Sequence, residues 1–172
     1  MRIILAALTF GLLIGCSGPD QTQKLSPKEA FIDSLLNEMT LAEKIGQMSQ
    51  ATGNWEKTGP VVTDPDMVDL ATTGKVGSFL NVFGAARTRS AQELAVNQTR
   101  LGIPLIFGYD MIHGYKTTFP IPLAEAASWD LDLIKRSAEI TAIEAAASGL
   151  HWNFAPMVDI ARDPRWGRIM EG

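Results

Sequence analysis

Residues 151–172 read HWNFAPMVDIARDPRWGRIMEG, and their reading decides the fold. Trp152, Phe154 and Met157 run into Val158 with the near-alternating apolar pattern of a buried strand. Pro156 removes a donor and ends the ladder. Asp159, Arg162, Asp163, Arg165, Arg168 and Glu171 then follow, with Trp166 and Gly167 among them. An apolar strand that delivers its chain into carboxylates, guanidinium groups and an indole suits a site for a polyhydroxylated ligand. Carboxylates accept from hydroxyls, Arg donates through a rigid fork, and an aromatic face covers the C–H surface of a sugar.

Upstream, the chain repeats the same theme. Ile103-Pro104-Leu105-Ile106-Phe107 is a short continuous apolar run entered through Gly102, which favours a buried parallel strand over a helix. It ends in Gly108-Tyr109-Asp110. Val76-Gly77-Ser78-Phe79-Leu80 reads as an earlier short strand. Helices are expected between them. Asp66–Ala71 is short and closed by Gly74. Ser90–Leu101 carries one stripe of Leu94, Gln98 and Leu101 and a second of Ala91 and Ala95. Asp130 caps a long helix to Gly149, with Leu131, Ile134, Ala138 and Ala145 on one face. The order strand, helix, strand, helix, strand is that of parallel βα units. The expected fold class is α/β, the first part of a (β/α)8 TIM-type barrel truncated after about three parallel strands. A full barrel of this type takes about 250 residues, against 172 here.

Two capping boxes open the domain. Ser26-Pro27-Lys28-Glu29 starts a helix with Phe31, Leu35 and Met39 on one face, and Thr40-Leu41-Ala42-Glu43 starts a second, ending near Gln47 or Met48. Ala51–Pro60 reads as loop, with Trp55 as a local packing anchor.

Composition narrows the function. Apolar residues make up 46% of the chain, ample for a core, and the formal charge is −4. No basic run appears, which argues against a nucleic-acid partner. The single Cys excludes an internal disulfide and a Cys-based zinc site. His113 and His151 lack metal-ligand spacing, and there is neither a phosphate-binding Gly-rich loop with Lys nor a Gly-x-Ser-x-Gly elbow. No cofactor is expected.

The amino terminus has its own logic. Met1-Arg2 followed by an uncharged apolar run, Ile3–Ile14, is the pattern of a secretory signal. It ends Leu13-Ile14-Gly15-Cys16, which resembles a bacterial lipoprotein signal. That resemblance implies cleavage before Cys16, lipidation of Cys16 and anchoring to a membrane. The expected divisions are a signal over 1–15, a polar tether over 16–25 and the domain over 26–172. The expected location is the periplasm or the outer membrane.

Asp110 follows a strand directly, and Asp159–Arg168 follows another. Ligands of barrels and open α/β sheets bind at the carboxyl ends of their strands. Asp110 could be a helix cap or a loop salt bridge, but its place favours a ligand contact. Asp163 and Arg165 read as a pair that fixes the loop.

These residues carry a resemblance. Phe107–Gly114, Phe119-Pro120-Ile121-Pro122, Glu125–Asp130 and His151–Arg168 are similar to motifs of glycoside hydrolase family 3, and of its periplasmic β-glucosidases in particular. The resemblance implies a retaining, exo-acting hydrolase that releases terminal β-D-glucose, with a β-glucoside or oligosaccharide as its substrate. It implies that Asp110 accepts from hydroxyls of the non-reducing-end sugar and that Arg168 donates to the same ring. It places the nucleophile and the acid/base beyond residue 172, so residues 1–172 alone are expected to be inactive. A β-xylosidase on the same fold, or a non-catalytic glycan-binding lipoprotein, stays open as an alternative.

Overall fold

The structure is a computed structural model that describes residues 25–53 and 67–171. Cys16, the signal and most of the tether, and Trp55, lie outside the described residues. The chain divides into two compact units, Met1–Asn37 and Glu38–Gly172.

Helix α1, Pro27–Glu38, dominates the described part of the first unit. Its start is the expected capping box: the Glu29 carboxylate accepts from the Ser26 N–H at 2.8 Å, and the Ser26 hydroxyl accepts from the Glu29 N–H at 3.3 Å. No residue of α1 is buried, and Phe31 is 67% exposed. Met39 lies past the end of the helix, where it is buried as part of the second unit.

The second unit is built on βα repeats. Helix α2, Leu41–Met48, begins at the Thr40 capping box and ends where the sequence places it. Strand β1 is Gln50–Thr52, α3 is Met67–Thr73, β2 is Ser78–Leu80, and α4 is Ala85–Gln98. Strand β3 is Ile106–Tyr109, α5 is Pro122–Ala127, α6 is Leu131–Ala147, and β4 is Trp152–Asn153. A 3₁₀ turn, Ile169–Glu171, follows. The sheet order is β1-β2-β3-β4, all parallel, with Ser78 opposite both Gln50 and Ile106 and Gly108 opposite both Leu80 and Trp152.

Among the described residues four strands stand where about three are expected. Strand β1 is missed because Gln50-Ala51-Thr52 has no apolar run; its membership comes from pairing, extended by the Gly53 N–H donating to the Leu80 carbonyl at 2.8 Å. Strand β3 begins later than the apolar run. The Gln92 side chain on α4 takes both backbone groups of Leu105, accepting its N–H at 2.7 Å and donating to its carbonyl at 3.0 Å. Those groups are spent before the ladder starts.

Strand β4 is the largest correction. Only Trp152 and Asn153 pair, and both are exposed, so the expected long buried strand is two residues at the outer position of the sheet. The Asn153 Oδ1 turns back to accept from the N–H of Met111 at 3.0 Å and of Ala155 at 3.2 Å, which closes the strand. A cis Ala155–Pro156 peptide follows. Val158 and Ile160 are 87% and 79% exposed.

The core sits between the sheet and α3, α4 and α6. Phe79, Val82 and Phe107 are its fully buried large side chains, with Ala71, Ala91, Ala95 and Ala145 from the helices. The buried stripe of α6 is Ser137, Thr141 and Ala145, a spacing of four, whereas Leu131 is 79% exposed. Ser137 and Thr141 satisfy their hydroxyls on helix carbonyls, at 2.9 Å each, so the polar stripe is buried without unpaired donors. Helix α5 opens with Pro122 in its first turn, where a missing N–H costs no helical hydrogen bond.

Candidate functional site

Asp110 is the first residue beyond β3, and its exposed carboxylate is therefore delivered to the carboxyl end of the sheet. The next backbone N–H, that of Met111, is held by Asn153, so the segment carrying Asp110 is tied to the end of β4. Arg168 arrives from 58 residues further along the chain. It precedes the 3₁₀ turn, whose Glu171 N–H donates to the Arg168 carbonyl at 3.0 Å.

The two residues line one cavity of about 360 Å³. Gln50 of β1, Leu80 of β2, Phe154 and Met157 beyond β4, and Glu171 complete most of its wall. The position of its Phe154 wall depends on glycine at position 108. A Cβ there would lie 2.8 Å from Cε2 of Phe154 and 3.6 Å from Nε2 of Gln50. The missing side chain lets the Phe154 ring lie against β3. One wall is thus apolar and the rim is charged, the arrangement expected for a small polar ligand with a hydrocarbon skeleton.

Electrostatics organise the rim. The Arg168 Nε donates to Glu171 Oε1 at 2.9 Å, and its Nη2 donates to Glu171 Oε2. This bidentate grip raises the guanidinium above its ordinary pKa, with smaller attractions from Asp110 and Asp159, and it lowers the Glu171 carboxyl. Asp163 and Arg165 form a separate bidentate pair, with the Arg165 N–H also donating to Asp163 Oδ1 at 2.9 Å. That pair fixes the loop, as expected, and lines no wall of the cavity.

A second cavity, of about 490 Å³, shares Asp110 and Ile112 with the first. Phe83, Tyr109 and Tyr115 flank it with edge-to-face contacts at centroid separations of 5.1–6.5 Å. His113 lies on its wall, on the loop over residues 113–119. No local pattern marks what holds that loop: Glu144 of α6 accepts from the N–H groups of Lys116 and Thr117 at 2.9 and 2.8 Å, and from the Thr117 hydroxyl at 2.6 Å. Glu144 reads in sequence as one charge among many on a helix surface. His151 is placed away from both cavities. Its Nδ1 accepts from the Phe107 N–H at 3.2 Å, and its own N–H donates to the Phe107 carbonyl. Among the described residues no group of three His, Cys, Asp or Glu side chains converges on a metal-sized position, and no helix is long and apolar enough to cross a membrane.

Known proteins resemble this chain in sequence and in fold. The family model of the Glycosyl hydrolase family 3 N terminal domain matches residues 40–172. A periplasmic beta-glucosidase of Salmonella typhimurium is 40% identical over 145 residues, which cover 84% of this chain and 18% of that protein. A periplasmic beta-glucosidase/beta-xylosidase of Dickeya chrysanthemi is 31% identical over 90% of this chain and 27% of that protein. The crystal structure of a beta-glucosidase from Listeria innocua in complex with isofagomine superposes with a TM-score of 0.71 at 42% identity, over 83% of this chain and 20% of that one. The chain spans about a fifth of the length of the beta-glucosidases it matches. The four parallel strands and their helices are the opening part of a (β/α)8-type barrel. The charged rim at the carboxyl ends of these strands, the motifs around it and the matched residues lead to one conclusion: the chain belongs to glycoside hydrolase family 3 and carries the family's N-terminal domain sequence over residues 40–172.

Proposed function

We propose that this chain supplies part of the subsite that holds the non-reducing-end sugar in a retaining exo-β-glucosidase. The observation that carries the reading is the meeting of Asp110 and Arg168 on one 360 Å³ cavity at the strand ends, although 58 residues separate them in sequence. Asp110 is acceptor-only and pairs with two vicinal hydroxyls, while Arg168 supplies complementary donors. Together they fix the ring against the Phe154 wall while its anomeric carbon reacts. Retaining hydrolysis needs two carboxyl groups about 5–5.5 Å apart across the scissile bond. In this proposal both come from outside residues 1–172, and Asp110 and Arg168 act by orienting the sugar. The reaction uses no cofactor.

The relatives' names support glucose as the sugar, and the Dickeya relative, named for both activities, supports a second activity on xylosides. The apolar run Ile3–Ile14 and the Gly15-Cys16 junction support export and lipidation at Cys16, with the domain held in the periplasm or at the outer membrane. The name of the Salmonella protein is consistent with the periplasmic part of that reading.

The test is turnover of aryl β-D-glucoside and aryl β-D-xyloside by the full-length protein and its Asp110→Ala variant. Hydrolysis with retention, preference for the glucoside, and a loss in kcat/KM of about 10- to 100-fold or more in the variant are expected, in line with a charged hydrogen-bond partner removed. A variant with near-normal kcat/KM removes Asp110 from the subsite. Tight glucose binding without turnover favours the glycan-binding reading.

A further inference from the structure

The geometry points to Glu171 as a positioning residue that keeps Arg168 and Asp110 both open to the sugar. The inference rests on the sugar-subsite reading of those two residues and adds a third with a different task.

Arg168 has five N–H donors. Glu171 engages one edge of the fork, taking the Nε hydrogen and one on Nη2, and leaves the Nη1 edge to a ligand. Glu171 is also the more sheltered partner, with a side chain 21% exposed against 62% for Arg168. The carboxylate is therefore the anchor and the guanidinium the presented group. The Asp163–Arg165 pair uses the same bidentate chemistry, but its members are 47% and 90% exposed and neither faces the cavity. An ordinary surface ion pair would look like that one.

The charges around Arg168 explain why an anchor is needed. Glu171, Asp110 and Asp159 all attract it, and among the described residues only Glu171 bonds it. Without Glu171, the guanidinium is drawn to the remaining carboxylates, Asp110 and Asp159, the first of which lines the same cavity. The two groups meant for the ring would then satisfy each other. Glu171 prevents this collapse by occupying one edge of the fork in advance, so that sugar binding does not have to break an Asp110–Arg168 pair first.

The experiment is a double-mutant cycle in the full-length protein, reading kcat/KM on an aryl β-D-glucoside for wild type, Glu171→Gln, Arg168→Ala and the double variant. Thermal melting of each variant is read alongside. Glu171→Gln is expected to lower kcat/KM by roughly 10- to 100-fold. The double variant is expected to match Arg168→Ala alone, since Glu171 acts only through Arg168. Glu171→Asp keeps the charge on a shorter arm and is expected to fall between wild type and Glu171→Gln; it is read in the same cycle if Glu171→Gln does not fold. A wild-type rate in the folded Glu171 variants overturns the inference. So does a full further loss when Glu171→Gln is added to Arg168→Ala. A wild-type rate in Arg168→Ala instead brings down the sugar-subsite reading itself.

Discussion

Glu144, on α6, holds Thr117 by both its backbone N–H and its hydroxyl, at 2.8 and 2.6 Å. The contact joins a helix to a loop 27 residues earlier, beside Asp110 on the second cavity. Thr117, by its hydroxyl first and its N–H second, lowers the Glu144 carboxyl below its ordinary value of 4.5. A folded-state pKa that is depressed gives stability present above the unfolded value and lost as pH falls through the folded one. Hydrogen-exchange protection of the Lys116 and Thr117 amides is therefore expected at neutral pH, to fade below about pH 4.5, and to be absent at neutral pH in Glu144→Ala. Unchanged protection in that variant rules the clamp out.

Glu43 makes a stronger version of the same argument. Arg100 donates to it through Nε at 3.0 Å and Nη2 at 2.7 Å, and Thr40 adds its N–H at 2.8 Å. These bonds, Arg100 first, lower its pKa from 4.5 to about 2. Stability from this pair is therefore full above about pH 4.5 and disappears toward pH 2. The melting temperature of Glu43→Gln is expected to lie below wild type at pH 7, with the gap closing as pH approaches 2. A gap independent of pH assigns the effect to packing. Because both partners reach solvent, added salt is also expected to narrow it.

Gly108 is expected to tolerate no side chain. Its Cβ would stand 2.8 Å from the Phe154 ring. Gly108→Ala is expected to cost about 1–3 kcal/mol in denaturant unfolding, the usual range for overpacking. Phe154→Leu is expected to recover part of that loss, since it withdraws the atoms in the way. Failure of the second change to rescue the first would place the strain elsewhere.

Gln92 satisfies both backbone groups of Leu105, a residue only 4% exposed. Gln92→Ala leaves a buried donor and a buried acceptor without partners. A loss of about 1–3 kcal/mol for each group left unpaired is the usual range. Gln92→Glu still accepts from the N–H but cannot donate to the carbonyl, so it is expected to be destabilised as well. Equal stability of Gln92→Ala and wild type would show that water replaces the side chain.

Much of this protein is legible in its residues taken in order. The Thr40 and Ser26 boxes, the Asp130 cap of α6 and the apolar runs at β2 and β3 are local signals, because caps and periodicity depend on residues only a few positions apart. The motifs from Phe107 to Asp130 and from His151 to Arg168 identify the family and mark Asp110 and Arg168 as the residues to watch. Other features depend on distant partners and have no local mark. Strand β1 exists because Ser78–Leu80 pairs with it, and β3 starts at Ile106 because Gln92 has already taken Leu105. Strand β4 stops at Asn153 because that side chain bonds Met111 and Ala155. The buried face of α6 falls on Ser137, Thr141 and Ala145, while Leu131, which periodicity selects, is exposed. Sequence alone determined the βα order, the caps and the candidate residues, since each rests on short-range backbone chemistry or on a motif. Only the tertiary structure decided that Asp110 and Arg168 share a cavity and that Glu171 bonds the guanidinium, since parallel pairing brings strand ends together across dozens of residues.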